Sequence, residues 1–329
     1  MKNLYVKNLK DYMGKEVEGE FYISRKEVRK KKDGGPYIEL ALADVTGSAP
    51  AVVFNDVESL DGIIREGGVF LIRGNVGSFN DTLQVKVLWA RAVTEFDPRD
   101  YVKSTEKDIC LMEEKLLSMV DSVLDPYLKK LLDLFFRDEK FMKKFKLAPA
   151  AKKLHHAFIG GLLEHTLSVT ELARVVASRY REVNTDILIS GALLHDVGKT
   201  EEYGFFPMIE LTDRGRLLGH LVIGYEMVSA KIEELRDYLG GFPEDTKMKI
   251  LHMILSHHGE LSWGSPVVPQ TVEAQILHFL DNLDAKVWMF LEARGLTKDP
   301  MARWSEYHRG LSRFVFFGGG EEESEELFP

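Results

Sequence analysis

The sequence predicts a multidomain α+β protein, a small β-barrel followed by an all-helical bundle. Three observations predict it. Up to about residue 95, apolar and polar residues alternate in short runs between turn signals. Beyond Asp97-Pro98-Arg99-Asp100, apolar residues recur every three or four positions almost to the end. The charge shifts at the same place: residues 1–95 carry 14 Lys/Arg and 14 Asp/Glu, so the whole net charge of −9 lies after them.

The β region reads in order. Val17 to Arg25 forms a first strand that turns basic, and Asp33-Gly34-Gly35-Pro36 is a turn. Tyr37 to Ala43 is a second strand, Thr46-Gly47 a turn, and Ala51 to Phe54 a third. Asp56 to Arg65 forms a short helix with Asn55 as its N-cap. Val69 to Val76 and Leu83 to Val93 are two more strands, split by Ser78-Phe79-Asn80-Asp81. Three strands, a short helix and two strands make the layout of an OB-fold, a barrel that commonly binds oligonucleotides. The expected division is 1–95 for this barrel, 96–150 for a helical extension, 151–315 for the helical domain and 316–329 for an acidic tail. Glu321, Glu322, Glu323, Glu325 and Glu326 follow Gly318-Gly319-Gly320, and read as a solvated, flexible terminus.

In the helical part, Ile109 to Val123 and Pro126 to Phe136 have helical spacing. Pro149 opens a segment that runs through His155 and His165 to about Tyr180. Asn184-Thr185-Asp186 caps Ile187 to Val197. Leu217 to Leu239 is helical, Pro243 starts a helix to Ser256, and Pro269 starts a long one ending near Gly295. No run approaches about 20 apolar residues, so no membrane span is expected. The N-terminus lacks the apolar core of a secretory signal. The single cysteine, Cys110, leaves no internal disulfide framework and no cysteine metal cluster, which fits a cytoplasmic location. The negative charge argues against non-specific coating of duplex nucleic acid.

The run Ile187 to Leu194 is apolar almost all round, so its helix should be buried. His195 and Asp196 at its end are costly to bury unpaired. A divalent cation offsets that cost, and His with Asp but no thiolate suits Mn, Fe, Zn, Co or Ni. His165 and Asp281, on other helices, are the further ligands, as in metal sites built in bundle cores. Each has a bland reading alone: a hydrogen-bonded core histidine, a loop-fixing pair, a surface charge. Asp284 and His278 lie on nearby faces of the Asp281 helix and compete for its role. In the barrel, Arg25, Lys26, Arg29, Lys30, Lys31 and Lys32 flank the first turn, interleaved with Phe21, Tyr22, Tyr37 and Phe54. Lysines can follow a strand's backbone while bases stack on Tyr22, Tyr37 and Phe54. The alternative is that Phe21 or Tyr22, with Phe54, fills the barrel core.

The order His165, His195-Asp196, Asp281 resembles the HD superfamily of metal-dependent phosphohydrolases. Gly160-Gly161-Leu162-Leu163-Glu164-His165-Thr166 and Ala192-Leu193-Leu194-His195-Asp196-Val197-Gly198-Lys199 narrow the resemblance. With Gly219-His220, Ser256-His257-His258-Gly259 and Leu283-Asp284-Ala285-Lys286, they resemble the YhaM-type 3′→5′ exoribonucleases, an OB-fold joined to an HD domain. The likeness runs from about residue 5 to about 310. It implies a Mn-favouring nuclease that trims single-stranded RNA to mononucleotides, with single-stranded DNA and a homo-oligomeric state left open.

On this reading His165, His195, Asp196 and Asp281 hold a first metal. His220, His257 and His258 either hold a second, sharing Asp196, or contact phosphate and protonate the leaving group. Lys199 neutralises charge at the phosphate. His155, His156 and Asp284 are candidate substrate contacts. Competing readings are an HD nucleotidase or cyclic-dinucleotide phosphodiesterase, and a non-catalytic single-strand-binding protein.

Overall fold

A computed structural model of the chain describes residues 2–152, 156–204, 209–295, 297, 299 and 301–318. His155 and the glutamates of the acidic tail lie outside the described residues. The chain divides into two compact units, Met1–Ser104 and Thr105–Gly204 with Glu210–Pro329. Among the described residues no helix is long and apolar enough to cross a membrane.

The first unit is a closed barrel of strand order β1-β2-β3-β5-β4. Its strands are β1 (Glu16–Lys30), β2 (Pro36–Asp44), β3 (Gly47–Val53), β4 (Val69–Phe79) and β5 (Thr82–Ala92), with α1 (Val57–Ile63) between β3 and β4. This is the OB layout read from the sequence. Closure comes from β3 and β5, which pair in parallel at Ala51–Val85 and Val52–Lys86. Ile38, Leu40 and Leu42 of β2 point inward and join Phe21, Ile23, Ile72, Val85 and Val87 in the core. Tyr37, Glu39 and Ala41 alternate outward, as the two-residue period of a strand requires. A 3₁₀ helix, Val6–Tyr12, precedes β1, and Asn55 is not the cap of α1: Asp56 holds that place at φ 50°, without a side-chain cap bond.

The second unit is helical. It contains α2 (Ile109–Ser122), α3 (Pro126–Phe136), α4 (Glu139–Leu147), α5 (Gly161–Arg179), α6 (Thr185–Leu194), α7 (Lys199–Glu202), α8 (Asp213–Glu234), α9 (Glu244–Ser256) and α10 (Val272–Gly295). The sequence predicts a separate extension over 96–150, but Thr105 onward belongs to this unit. It also predicts one helical segment from Pro149 through His165. The chain instead has His156 at φ 51° and Gly160 at φ 85°, and α5 begins only at Gly161.

The helix α6 is the central element. Asn184 Oδ1 accepts the N–H of Ile187 and caps its start. Every residue from Ile187 to Leu194 is buried. Each fully buried Leu or Ile there stabilises the fold by about 1.5–3 kcal/mol. That packing fixes the position of His195, the residue after its last turn.

Candidate active site

His195 and Asp196 stand at the end of α6, both buried. Around them the structure gathers His165 from α5, His220 from α8, His257 and His258 from the end of α9, and Asp281 from α10. The hydrogen bonds fix the tautomer of each imidazole. His195 Nδ1 lies 2.8 Å from the Ala192 carbonyl, His257 Nδ1 2.9 Å from that of Ile254, and His258 Nδ1 3.1 Å from that of Trp263. A carbonyl oxygen only accepts, so each Nδ1 carries the proton and each Nε2 presents a lone pair. Carboxylates hold the Nδ1 proton of the others: His165 Nδ1 donates to Asp284 Oδ2 at 2.7 Å, and His220 Nδ1 to Glu202 Oε1 at 3.1 Å, so Nε2 is the ring nitrogen that a cation would meet.

Four Nε2 atoms converge on two carboxylates, and the fifth lies beside one of the four. His165 Nε2 is 3.2 Å from His195 Nε2, 3.2 Å from Asp281 Oδ1 and 3.5 Å from Asp196 Oδ2. His195 Nε2 is 3.3 Å from the same Asp196 oxygen. The other oxygen, Oδ1, faces His220 Nε2 and His257 Nε2, each at 3.6 Å. His258 Nε2 sits 3.2 Å from His220 Nε2. Asp196 therefore stands between two groups of nitrogen donors, with one oxygen toward each.

Lone pairs and carboxylates this close repel one another without a positive charge between them. Part of that charge comes from Lys199, whose Nζ lies 2.6 Å from Asp196 Oδ2. Lys199 is its ion partner, and the two Asp196 oxygens are otherwise surrounded by ring nitrogens. Burial alone would raise the Asp196 pKa, but Lys199 and His195 outweigh it and hold the carboxyl well below its ordinary range. Burial opposes a charged Lys199 as well, and Asp196 keeps it raised. The same contest raises His165 to about 9, because Asp281 and Asp284 overcome its desolvation. Burial lowers His257, and burial together with His257 lowers His258 to about 4. Imidazole nitrogens and carboxylate oxygens gathered around the buried Asp196 fit a divalent cation of the first transition row.

The structure separates the residues that competed for these roles. Asp281 meets the Nε2 side of His165, and Asp284 meets the Nδ1 side. Asp284 was a candidate substrate contact. Its two oxygens are instead engaged by His165, His156 and Ser168 Oγ, so it orients His165. His156 stacks on Trp288 at 4.3 Å and donates toward Asp284 at 3.2 Å. His278 is not in the donor set: its Nδ1 donates to the His257 carbonyl at 2.9 Å. His257 and His258 converge because α9 ends at Ser256, and the chain turns at Gly259, φ 80°. Sequence reasoning missed Glu202, whose position in the short α7 gives no periodic signal of burial.

Replacing Asp284 by Ala is expected to weaken divalent-ion binding about 10–100-fold, the usual cost of losing a carboxylate behind a ligating histidine. Titration calorimetry with Mn measures it, and wild-type affinity would refute the orienting role.

The barrel's candidates divide differently. Tyr22 is buried beside Val69 and Tyr101, so its ring is not offered to a base. Lys26 Nζ is held by Asp61 Oδ1 and by the carbonyls of Asp61 and Ile64, where it caps the end of α1. Arg25 and Arg29 both clasp Glu27, and Arg29 also reaches Glu39 at 3.2 Å. Lys30 and Lys32 are exposed. Lys31 Nζ lies 5.4 Å from the Phe54 ring centroid, and the Phe54 and Tyr37 rings lie 5.8 Å apart. Phe54 is thus on the surface and not in the core. Phe79, at the β4–β5 turn, is a further exposed aromatic.

Comparison with known proteins agrees with this architecture. Residues 162–286 match the model of the HD domain. The 3′-5′ exoribonuclease YhaM of Geobacillus sp. (strain WCH70) is 32% identical over 310 residues, 93% of this chain and 92% of that protein. The protein of the same name from Oceanobacillus iheyensis is 28% identical, over 95% of this chain and 97% of its own length. A solved HD domain, from the L. monocytogenes phosphodiesterase PgpH, is 20% identical with a TM-score of 0.27, covering 50% of this chain and 74% of that one. With the near full-length match beside the His/Asp centre, the chain belongs to the YhaM-type family, in which an OB-fold is joined to an HD domain.

Proposed function

We propose that this protein is a metal-dependent 3′→5′ exoribonuclease that hydrolyses single-stranded RNA to nucleoside 5′-monophosphates. The observation that carries the reading is the convergence of four Nε2 atoms on Asp196 and Asp281, with His258 Nε2 beside that of His220. His165, His195, Asp196 and Asp281 would hold the first ion. His220, His257 and His258 would hold a second, with Asp196 Oδ1 facing two of them. The tautomers favour ligation over a role as phosphate donors, because Nδ1 of each is committed and Nε2 is bare. We assign the ions as Mn, on the family's preference. Bound there, such ions polarise a phosphoryl oxygen and lower the pKa of water toward neutrality.

The protein's own part is to place charge. Water attacks the last phosphodiester, the P–O3′ bond breaks, and the terminal nucleotide leaves with its 5′-phosphate. The shortened strand keeps a 3′-hydroxyl. Lys199, already beside Asp196, is placed to offset the charge that grows on the phosphoryl oxygens.

Digestion of 5′-labelled RNA and DNA with Mn, Mg or chelator tests the whole reading. A ladder descending one nucleotide at a time with Mn, abolished by chelator, is expected. Internal cuts would exclude an exonuclease, and intact RNA under every metal would exclude an enzyme.

We further propose that Lys31, Phe54 and Tyr37 hold the strand on the barrel. Their rings and ammonium form one continuous strip. Phe54→Ala is expected to cost about 1–3 kcal/mol in binding of oligouridylate. Fluorescence anisotropy measures that, and cleavage of a dinucleotide should be unchanged. Unaltered anisotropy would remove this strip from the binding surface.

A further inference from the structure

The two halves of the centre are built alike in one respect that the ligand assignment does not use. A carboxylate stands behind one histidine in each: the half-buried Asp284 behind His165, and the buried Glu202 behind His220. Glu202 is the last residue of α7, four positions after Gly198, and is 6% exposed. Its Oε1 accepts twice from one residue, from the His220 backbone N–H at 3.0 Å and from Nδ1 at 3.1 Å. It grips backbone and ring together.

That double grip has a cause in the chain. The helix α8 is interrupted at Gly219, which has φ 70° and ψ 158°. His220 is therefore the first residue after a break, and its N–H is met by a side chain, that of Glu202. A side-chain carboxylate at the start of a helical segment meets that N–H and favours the segment's positive end. Here the same oxygen also selects the ring tautomer. His195, His257 and His258 achieve this with backbone carbonyls near in sequence. For His220, which follows the break, a side-chain carboxylate takes that part.

We propose that Glu202 is the positioning residue of the second ion site: it fixes the Nδ1–H tautomer of His220 and so decides whether the group His220, His257 and His258 holds an ion. The inference rests on the two-ion reading above. Burying a carboxylate without such a task is costly, and the burial that opposes its charge is offset chiefly by His220. Without Glu202, the His220 ring is free to turn or to carry its proton on Nε2, and the donor group loses one of its three nitrogens.

The test compares wild type, Glu202→Gln and Glu202→Ala by calorimetric titration with Mn and by ¹⁵N NMR of the histidine rings. Gln is close in shape and keeps an acceptor oxygen, so it should hold the tautomer and keep the second affinity within a few-fold. Ala should lower the affinity of the second ion about 10–100-fold and leave the first ion unchanged. In the metal-free Ala variant, the His220 ring should show mixed tautomers. Two ions bound with wild-type affinities by the Ala variant would overturn the proposal, and so would an unmixed His220 tautomer in it. Equal weakening of both ions would mean that Glu202 only supports the fold, which also overturns it. If wild type binds one ion, the two-ion reading itself fails, and that outcome is separate from any effect of the variants.

Discussion

Asp196→Asn should abolish exonuclease activity while leaving a folded protein. The side chain is nearly isosteric, so packing at the end of α6 is kept. Its chemistry is not. One oxygen of Asp196 faces His165 and His195, the other faces His220 and His257. An amide offers one weak acceptor where two anionic ones stood, and turns N–H bonds toward one of the groups. On the two-ion reading, both halves of the centre lose a ligand at once. The loss should exceed the roughly 10–100-fold cost of removing a partner one shell further out.

The same change exposes a second effect. Lys199 loses the anion beside its buried ammonium. Breaking such a pair by removing one partner costs about 3–5 kcal/mol. Thermal unfolding separates the two effects. Wild type with Mn at about 100 times its Kd should gain about 2.7 kcal/mol over the metal-free protein. Asp196→Asn should start lower and gain little. A variant that keeps the metal-induced shift and trims RNA at the wild-type rate would dismiss the central role of Asp196.

Much of this site could be read before the fold was seen, for identifiable reasons. The helix α6 is apolar on every face, which only a buried helix tolerates, so the His-Asp pair at its end had to be buried too. The barrel was legible because Tyr37 to Ala43 alternates strictly. What stayed hidden depends on contacts between distant residues. Asp281 and Asp284 share a helix face, and what divides them is the side of one imidazole each meets. Glu202 follows Lys199 and Glu201 in a stretch that looks like solvated charge, and its part shows in its bonds to His220, beyond the break at Gly219. In β1 the alternation fails at a bulge between Ile23 and Arg25, and Phe21, Tyr22 and Ile23 are all buried in succession. The basic run lost members for a similar reason: the strand pairing brings Glu27 opposite Glu39, and Arg29 bridges them.

Gly198→Ala should damage the centre from outside it. Gly198 has φ −61° and ψ −24°, an ordinary helical conformation, so the backbone does not require glycine there. Space does. A Cβ at this position would lie 2.2 Å from the His220 carbonyl oxygen and 2.6 Å from the Gly224 nitrogen. Both are backbone atoms of α8, and neither can swing aside as a flexible side chain would. The helix must move away from α7, and His220 goes with it. Overpacking of this kind typically costs about 1–3 kcal/mol. A misplacement of about 1 Å at a reacting centre can cost about 100-fold in rate. Activity measured well below the unfolding temperature should therefore fall far more than stability accounts for, with the second ion bound weakly. Gly62→Ala is the control, since a Cβ in that part of α1 meets nothing within 4 Å. It should be neutral or stabilising by about 0.5–1 kcal/mol, the usual advantage of Ala over Gly inside a helix. A Gly198→Ala enzyme as active and as metal-loaded as wild type would show that α7 and α8 need not touch for the histidines of α8 and α9 to meet Asp196.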